Sequence, residues 1–441
     1  MPLLAPFLQH LAGFNLGRSR AVVAVSGGVD SLVLLDLLAR GREQHGVELL
    51  VAHADHGIHP DSGAVADRVA AVAASLDLPA EIGRLTLGSS ATETVAREAR
   101  YAWLESVRRQ CGAEWLVTAH HSDDQAETVL MRLLRGSGPA GLAAMADREG
   151  VLIRPLLPFT RAQLAEHAAA RAIEGWSDPA NADSRFLRSW LRHEVLPALR
   201  ERLPEVDRDL LRAGRQAALD REAWDQLLDQ TPELDWRNEA GGASLAIEGL
   251  LAWDGPLALR LLSAAGRRVG AILGPTRAGR ILTLARKGAS GATVELGGAW
   301  RAERAFDRVR LVREPDVETA ASLTIEGSAG SAIWGVEWVL DWWLERAPPK
   351  QERDGLSAWF IPEPMTVRRW IAGERIQPLR GQGHRLLARC FQDARVPRSR
   401  RERWPVLEAA GRLVWVPGVC RSADRMPEPG QPALRVEARG R

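Results

Sequence analysis

Six consecutive residues, Ser26-Gly27-Gly28-Val29-Asp30-Ser31, bring two glycines, two hydroxyls and a carboxylate together directly after an apolar, β-branched run. A Gly-rich turn from strand to helix presents backbone N–H groups at a helix N-terminus, which binds anions by geometry and by dipole. Gly27 and Gly28 allow close backbone approach, and Ser26 and Ser31 can donate hydroxyl hydrogen bonds. Asp30 repels a phosphate unless a cation lies between them, and Mg2+ takes carboxylate and phosphate oxygens together. The loop lacks the lysine and the Gly-x-x-x-x-Gly-Lys-Ser/Thr spacing of a Walker A motif. The bland alternative is a tight turn with an N-capping Asp.

The second constellation is Thr118 to Gly138, TAHHSDDQAETVLMRLLRGSG. Ser122 and Gln125 fit a capping box, which predicts a helix starting at Ser122. Asp124 and Glu127, three apart, then share one face of its first turns. Val129, Leu130, Leu133 and Leu134 are expected as the buried stripe. Acids in a first turn also suit the helix dipole, which is their non-catalytic account. His120 and His121 are ligand contacts or core histidines; periodicity does not separate the two.

These residues need a scaffold, and the chain around them alternates strand-like and helical patterns. AVVAV and VELLVAHAD read as strands, each followed by a helix; AEIGRLTL, a long helix through VAREARYAWLESVRRQC, the strand AEWLVTAH and a helix to about Leu134 follow. The expected fold is α/β: an N-terminal parallel sheet with helices on both faces, Rossmann-like, then a smaller α/β middle domain and a small basic β-rich C-terminal domain. SGGVDS, HADHG and AHHSDD all follow strand ends, where ligands gather in such sheets. Helical patterns lie around 255–287, and the Gly-Gly in TVELGGAWRAERAFDRVRLV suggests a hairpin. Expected boundaries are 1–212, 213–314 and 315–441, the last with its core at about 365–430.

The chain has 441 residues, 46% hydrophobic and 26% charged, an ordinary globular composition. No segment approaches the ~20 apolar residues of a membrane span. The start, MPLLAPFLQH, has no basic region and an early Pro, so no signal peptide and no membrane are expected. Cys111, Cys390 and Cys420 form no CxxC pair and are expected to be reduced and structural, in a cytoplasmic protein. Net charge is +2, but Met365–Arg441 carries 17 Arg against 7 Asp and Glu, leaving the remainder at −8. That asymmetry points to a polyanion partner for the tail.

SGGVDS resembles the PP-loop of the N-type ATP pyrophosphatases, which cleave ATP between its α and β phosphates. SGGVDS, AHADHGIHPDS, AREARYAWL, TAHHSDDQAETVLMRLLRGSGPAGLAAM, RPLL and WSDPANADSRFLR occur in the order seen in the bacterial tRNA(Ile)-lysidine synthetases. The match covers roughly the first 200 residues well, is weak in the middle and returns in the tail, so the resemblance implies a catalytic domain over 1–212, a middle tRNA-binding or linker domain over 213–314 and a basic tRNA-binding domain over 315–441. The resemblance implies ATP-dependent adenylation of C2 of the wobble cytidine of tRNA(Ile) with a CAU anticodon, then attack by the ε-amine of L-lysine. It implies ATP and Mg2+ as cofactors and leaves a homodimer open. Carried over by position, Ser26, Gly27, Gly28, Val29, Asp30 and Ser31 bind ATP, with Asp30 near Mg2+. Ala52 and His53 line the adenine pocket by backbone contact, and Asp55 to Gly57 order the loop beside it. Arg100 and His120 contact the nucleotide phosphates and the adenylated intermediate. Asp124 and Glu127 receive lysine; Arg135 and the glycines after it lie near the site. Asp178, Asn181, Asp183, Arg185 and Arg188 are a turn-and-cap network or contacts to substrate.

For the tail, Trp370, Trp404 and Trp415 are expected mainly in the core and the arginines mainly facing RNA. Ser189, His59 and Glu374 depart from the family's usual Asn, Arg and Asp. A cytidine thiolase, the nearest rival, needs a cysteine cluster that this chain lacks; an amide-forming PP-loop synthetase does not need the basic tail.

Overall fold

The most apolar strand near the N-terminus, β1 (Arg20–Ala24), lies in the middle of a six-stranded sheet. Its neighbours are β2 (Glu48–Asp55), β3 (Ala80–Arg84), β4 (Trp115–Val117), β5 (Arg148–Glu149) and β6 (Leu152–Ile153), in the order β3-β2-β1-β4-β6-β5. All pairings are parallel except the short β5–β6 hairpin. The computed structural model describes residues 3–55, 57, 62–85, 93–176, 186–239, 241–313, 322–335, 337–352, 354–379, 381 and 383–440.

The helices of this part are α1 (Leu4–Ala12), α2 (Val29–Arg40), α3 (Arg42–His45), α4 (Ser62–Ser75), α5 (Glu93–Gln110), α6 (Ser122–Leu134), α7 (Pro139–Leu142), α8 (Arg161–Ala170), α9 (Leu187–Trp190), α10 (Leu196–Arg202) and α11 (Val206–Asp229). Successive strand side chains point to opposite faces, so β1 serves two cores. Val22 packs with Leu104 and Val107 of α5; Ala21 and Val23 pack with Phe7, Leu34, Val69 and Leu164 of α1, α2, α4 and α8. Strand order reverses at β1, whose neighbours β2 and β4 are reached by opposite crossovers. The carboxyl ends of β1 and β4 therefore open the crevice where such sheets bind ligands. SGGVDS and AHHSDD sit at those two ends.

The chain divides into two compact units, Met1–Glu222 and Ala223–Arg441. In the second, β7 (Arg237–Glu239), β8 (Gly242–Ala246), β9 (Thr293–Gly297), β10 (Trp300–Ala305) and β11 (Arg308–Arg313) form an antiparallel sheet. The expected hairpin is β9–β10, with Gly297 and Gly298 both at positive φ. Helices α12 (Ile247–Leu251), α13 (Gly255–Arg268) and α14 (Pro275–Lys287) share its core.

The C-terminal part contains β12 (Ser322–Ile325), β13 (Ala329–Trp334), β14 (Trp338–Arg346), β15 (Ser357–Phe360), β16 (Met365–Arg368), β17 (Arg375–Ile376), β18 (Arg385–Leu386), β19 (Val406–Ala409), β20 (Arg412–Val416), β21 (Cys420–Arg421) and β22 (Pro432–Gly440), with α15 (Leu387–Asp393) and α16 (Arg398–Arg401). Its main sheets run β12-β16-β19-β20-β21 and β13-β14-β22-β15. Trp334, Trp415 and Phe360 fill the core they share. Strands before Met365 thus pair with strands after it: β12 with β16, and β14 and β15 with β22. Trp404 and Trp370 pack edge-on against Trp338 and Phe391. Glu374 accepts the Ile371 N–H at 2.7 Å and pairs with Arg368 at 2.6 Å, as a turn carboxylate.

Candidate active site

In the SGGVDS loop, Gly27 adopts φ +86°, and a Cβ there would lie 2.5 Å from Val65 Cγ1, so the position demands glycine on two counts. Gly28, extended, is the N-cap of α2; Asp30 lies in the first turn and is not the cap. Ser31 Oγ donates to the Gly28 carbonyl at 2.8 Å and accepts the Ser26 N–H at 3.2 Å, which stiffens the turn. A second segment lies on the loop. The Trp176 N–H donates to the Gly27 carbonyl at 2.9 Å, and Gly175 sits so close that a Cβ would be 2.3 Å from the Val29 nitrogen.

At the end of β2, Ala52 is buried and its carbonyl accepts the Val25 N–H at 2.9 Å. His53 is buried with Nδ1 2.7 Å from the Val25 carbonyl, so its ring ties β2 to the start of the loop. Burial alone would raise the Asp55 carboxyl, but the Gly57 N–H (2.8 Å), the Ser62 hydroxyl and the Arg84 charge hold it below the usual range.

At the end of β4, α6 begins at Ser122, with His121 as its N-cap. The expected Ser122–Gln125 capping box is not what forms. Asp124 accepts the His121 N–H at 3.2 Å instead, and Gln125 turns away to bond both the N–H and the carbonyl of Met145. The buried stripe is also shorter than expected: Val129 and Leu130 are buried, but Leu133 and Leu134 are more than half exposed. The partly buried and buried contacts with Leu191 and Leu196 end at Leu130 and Met131, so the last turn runs past its partners.

Asp124 and Glu127 share one face, and both are buried. Two arginines meet them. Arg188 donates from Nε to Glu127 (3.0 Å) and from Nη2 to Asp124 (2.9 Å). Arg192 donates from Nε to Glu127 (2.5 Å) and from Nη2 to Asp124 (3.1 Å) and Glu127 (2.8 Å). The arginines reach the acids because α9 passes into a π-helical turn, Leu191–Val195, an irregularity often found at functional sites. Two carboxylates and two guanidiniums balance in charge, so a lysine ammonium entering here must compete with an arginine. Arg192 was missed by sequence reasoning; its signal was the spacing of four from Arg188. Arg185, like Asp178, Asn181, Asp183 and His59, lies outside the described residues.

His121, 2% exposed, links the two loops. Its Nε2 is 3.5 Å from Asp30 and 3.6 Å from Asp124, and its Nδ1 3.8 Å from Asp123. Burial would lower its pKa, but the Asp30 hydrogen bond and the charges of Asp124, Asp30 and Asp123 raise it. Asp123 faces the structure, accepting the Arg161 N–H at 2.8 Å.

His120 contrasts with its neighbour. Its Nδ1 is 3.0 Å from Thr118 Oγ1. Burial first, then the charges of Arg154, Arg97 and Arg100, push its pKa down to about 3 against the pull of Asp124, so the ring is neutral. Arg100 thus lies within electrostatic reach of His120, and its Nε is buried without a hydrogen-bond partner among the described residues. The folded chain binds the His120 proton only near pH 3, the unfolded chain near 6.5. Stability from the neutral ring is therefore complete above about pH 6.5 and is lost as pH falls towards 3. The expected result is a larger drop in thermal midpoint between about pH 7 and 4.5 for the wild type than for His120→Gln. Equal drops would contradict a buried neutral ring.

Among the described residues, no group of three or more His, Cys, Asp or Glu side chains converges as a metal cage. Asp30 fits the other mode, in which Mg2+ takes one or two carboxylates and completes its shell with substrate phosphates and water.

A glycine-rich loop at the switch point of a parallel sheet, faced by a carboxylate, defines a PP-loop nucleotide-binding domain, and the profile of the PP-loop domain matches residues 5–199. A second profile, described as the TilS substrate C-terminal domain, matches residues 365–438. A tRNA(Ile)-lysidine synthase from Azoarcus sp. (strain BH72) is 36% identical over 431 residues, covering 95% of this chain and 91% of that protein. One from Symbiobacterium thermophilum is 34% identical, covering 100% and 98%. A solved TILS C-terminal domain is 26% identical over 27% of this chain and 97% of its own, with a TM-score of 0.24. The chain belongs to the tRNA(Ile)-lysidine synthase family.

Proposed function

We propose that the protein converts the wobble cytidine of tRNA(Ile) with a CAU anticodon to lysidine, consuming ATP and L-lysine and forming a carbon–nitrogen bond. The observation that carries the reading is the continuous contact from Asp30 through His121 to Asp124, which places the nucleotide loop beside the acidic pair. In the first step the C2 oxygen of the cytosine attacks the α-phosphate of ATP and pyrophosphate leaves. In the second, the ε-amine attacks C2, the C–O bond to AMP breaks, and the amine loses its proton.

Ser26 to Ser31 hold the departing pyrophosphate by backbone and hydroxyl donors. Mg2+ held by Asp30 would supply positive charge shared between the carboxylate and the phosphates. Arg100, whose Nε has no hydrogen-bond partner among the described residues, meets the charge that develops on phosphate. The neutral His120 hydrogen-bonds without carrying charge of its own. Asp124 and Glu127 draw in the lysine ammonium, with Arg188, and Arg185 by position, on the substrate side. The Arg-rich C-terminal part binds the tRNA backbone.

Incubation of a tRNA(Ile) transcript with a CAU anticodon with the protein, ATP, Mg2+ and lysine is expected to yield lysidine by mass spectrometry; an unmodified wobble cytidine would overturn the reading. Asp124→Asn is expected to impair lysine use while leaving lysine-independent pyrophosphate release partly intact. Equal losses of both would remove Asp124 from the lysine step.

A further inference from the structure

Helix α2 is buried from Ser31 to Ala39, and the single ionisable residue in that stretch is Asp36. Nothing in the proposed reaction uses it: it lies further along the helix than Asp30 and meets α8. A carboxylate is costly to bury unless it is paired, and three side chains pair with this one. Arg40, one turn on, donates from Nε to both carboxylate oxygens, at 2.9 and 3.1 Å. His167 of α8, 2% exposed, brings its Nε2 to 2.9 Å from Oδ2. Arg171, the C-cap of α8, places its Nε 3.7 Å from Oδ1.

The end of α8 redirects the chain beside this cluster. Ala172 adopts φ +51°. The Ile173 N–H donates to the Ala168 carbonyl at 2.9 Å, and the Ala172 N–H to the Ala169 carbonyl at 3.3 Å. That is a Schellman turn with alanine where glycine is usual. Ile173 packs back on the core that Leu164 and Ala168 share with Leu34 and Leu37 of α2. The next residues reach the nucleotide loop, where the Trp176 N–H bonds the Gly27 carbonyl and Gly175 stands against the Val29 backbone. These connections close a ring. It runs from the loop along α2 to Asp36, across to His167, down α8 to the turn, and back to the loop.

Apolar side chains could hold α8 on α2 without the desolvation cost of a buried ion pair, but charged hydrogen bonds add direction and therefore register. We propose that Asp36, His167 and Arg171 are positioning residues for the nucleotide loop. They fix α8 along α2 and so set where the turn at Ala172 delivers Gly175 and Trp176 onto Gly27 and Val29. The inference rests on the proposed use of ATP and adds to it a support for the loop that lies outside the site itself.

The test uses the full chain and two readouts, the KM for ATP in lysidine formation and hydrogen–deuterium exchange at the Trp176 amide. His167→Gln keeps a donor in the place of Nε2, whereas His167→Leu removes it. His167→Leu is expected to raise the KM for ATP about tenfold and to speed exchange at Trp176 by a similar factor, the scale of one hydrogen bond to a charged group. Its kcat is expected to change less than about twofold, because the loop's hold on ATP weakens equally in the ground and transition states. His167→Gln should match the wild type in both readouts. A lowered thermal midpoint in His167→Leu with neither readout moved would show an ordinary core role and overturn the proposal, as would equal shifts in His167→Gln. If His167→Leu does not fold, Arg171→Met, whose side chain is 30% exposed, carries the same comparison at about threefold. Unchanged exchange there overturns the anchor. A wild type that releases no pyrophosphate from ATP overturns the functional reading instead, and exchange at Trp176 still decides the anchor.

Discussion

Arg192→Ala is expected to destabilise the N-terminal unit by about 3 kcal/mol, because it leaves two buried carboxylates sharing one guanidinium. The Glu127 side chain is 3% exposed and takes two of its hydrogen bonds from Arg192. Arg188 alone cannot satisfy both acids: it places one donor on each. Denaturant unfolding of the wild type and variant would measure the difference. A double variant, Glu127→Leu/Arg192→Met, should recover most of the stability, since apolar residues of similar volume replace buried ion pairs without penalty. It should not recover lysidine formation. Full stability in Arg192→Ala alone, or activity in the double variant, would remove Arg192 from the site.

Gly175→Ala is expected to lower kcat/KM for ATP about a hundredfold, the scale of a misplacement near 1 Å in a positioning element. The added Cβ would lie 2.3 Å from the Val29 nitrogen and 2.8 Å from its Cα. Those are backbone atoms, so no rotamer change relieves the clash. Either the Gly175–Trp176 segment lifts off, breaking the Trp176 N–H bond to Gly27, or the nucleotide loop shifts. Binding of tRNA should change less than twofold if the C-terminal unit carries most of its contacts. An unaltered KM for ATP would show that the segment does not shape the loop.

Much of this site is legible in the sequence, and the reason is range. The SGGVDS turn is decided by residues within six positions, and its glycine requirement follows from turn chemistry. The shared face of Asp124 and Glu127 follows from helical periodicity alone. The parallel sheet followed from alternation of the two periods, and with it the meeting of loops at strand ends. Two local inferences nonetheless failed. Ser122 and Gln125 match a capping box, but Met145, twenty positions away, competes for the Gln125 amide. Leu133 and Leu134 match an apolar stripe, but burial depends on whether a partner is present, and α6 outruns its own.

The sequence by itself determined the class of the N-terminal fold, the glycine-rich turn, the acidic pair and the basic bias of the tail, all properties of short segments or of composition. Only the tertiary structure decided that Arg192, 65 positions from Glu127, neutralises the pair, and that adjacent histidines have opposite character. His120 and His121 are identical in type and neighbours in sequence. One ring is desolvated among arginines and stays neutral; the other lies among three carboxylates and is driven towards its charged form. That difference is set by what the fold packs around each ring, because desolvation and Coulomb energies depend on spatial neighbours, whatever their separation along the chain.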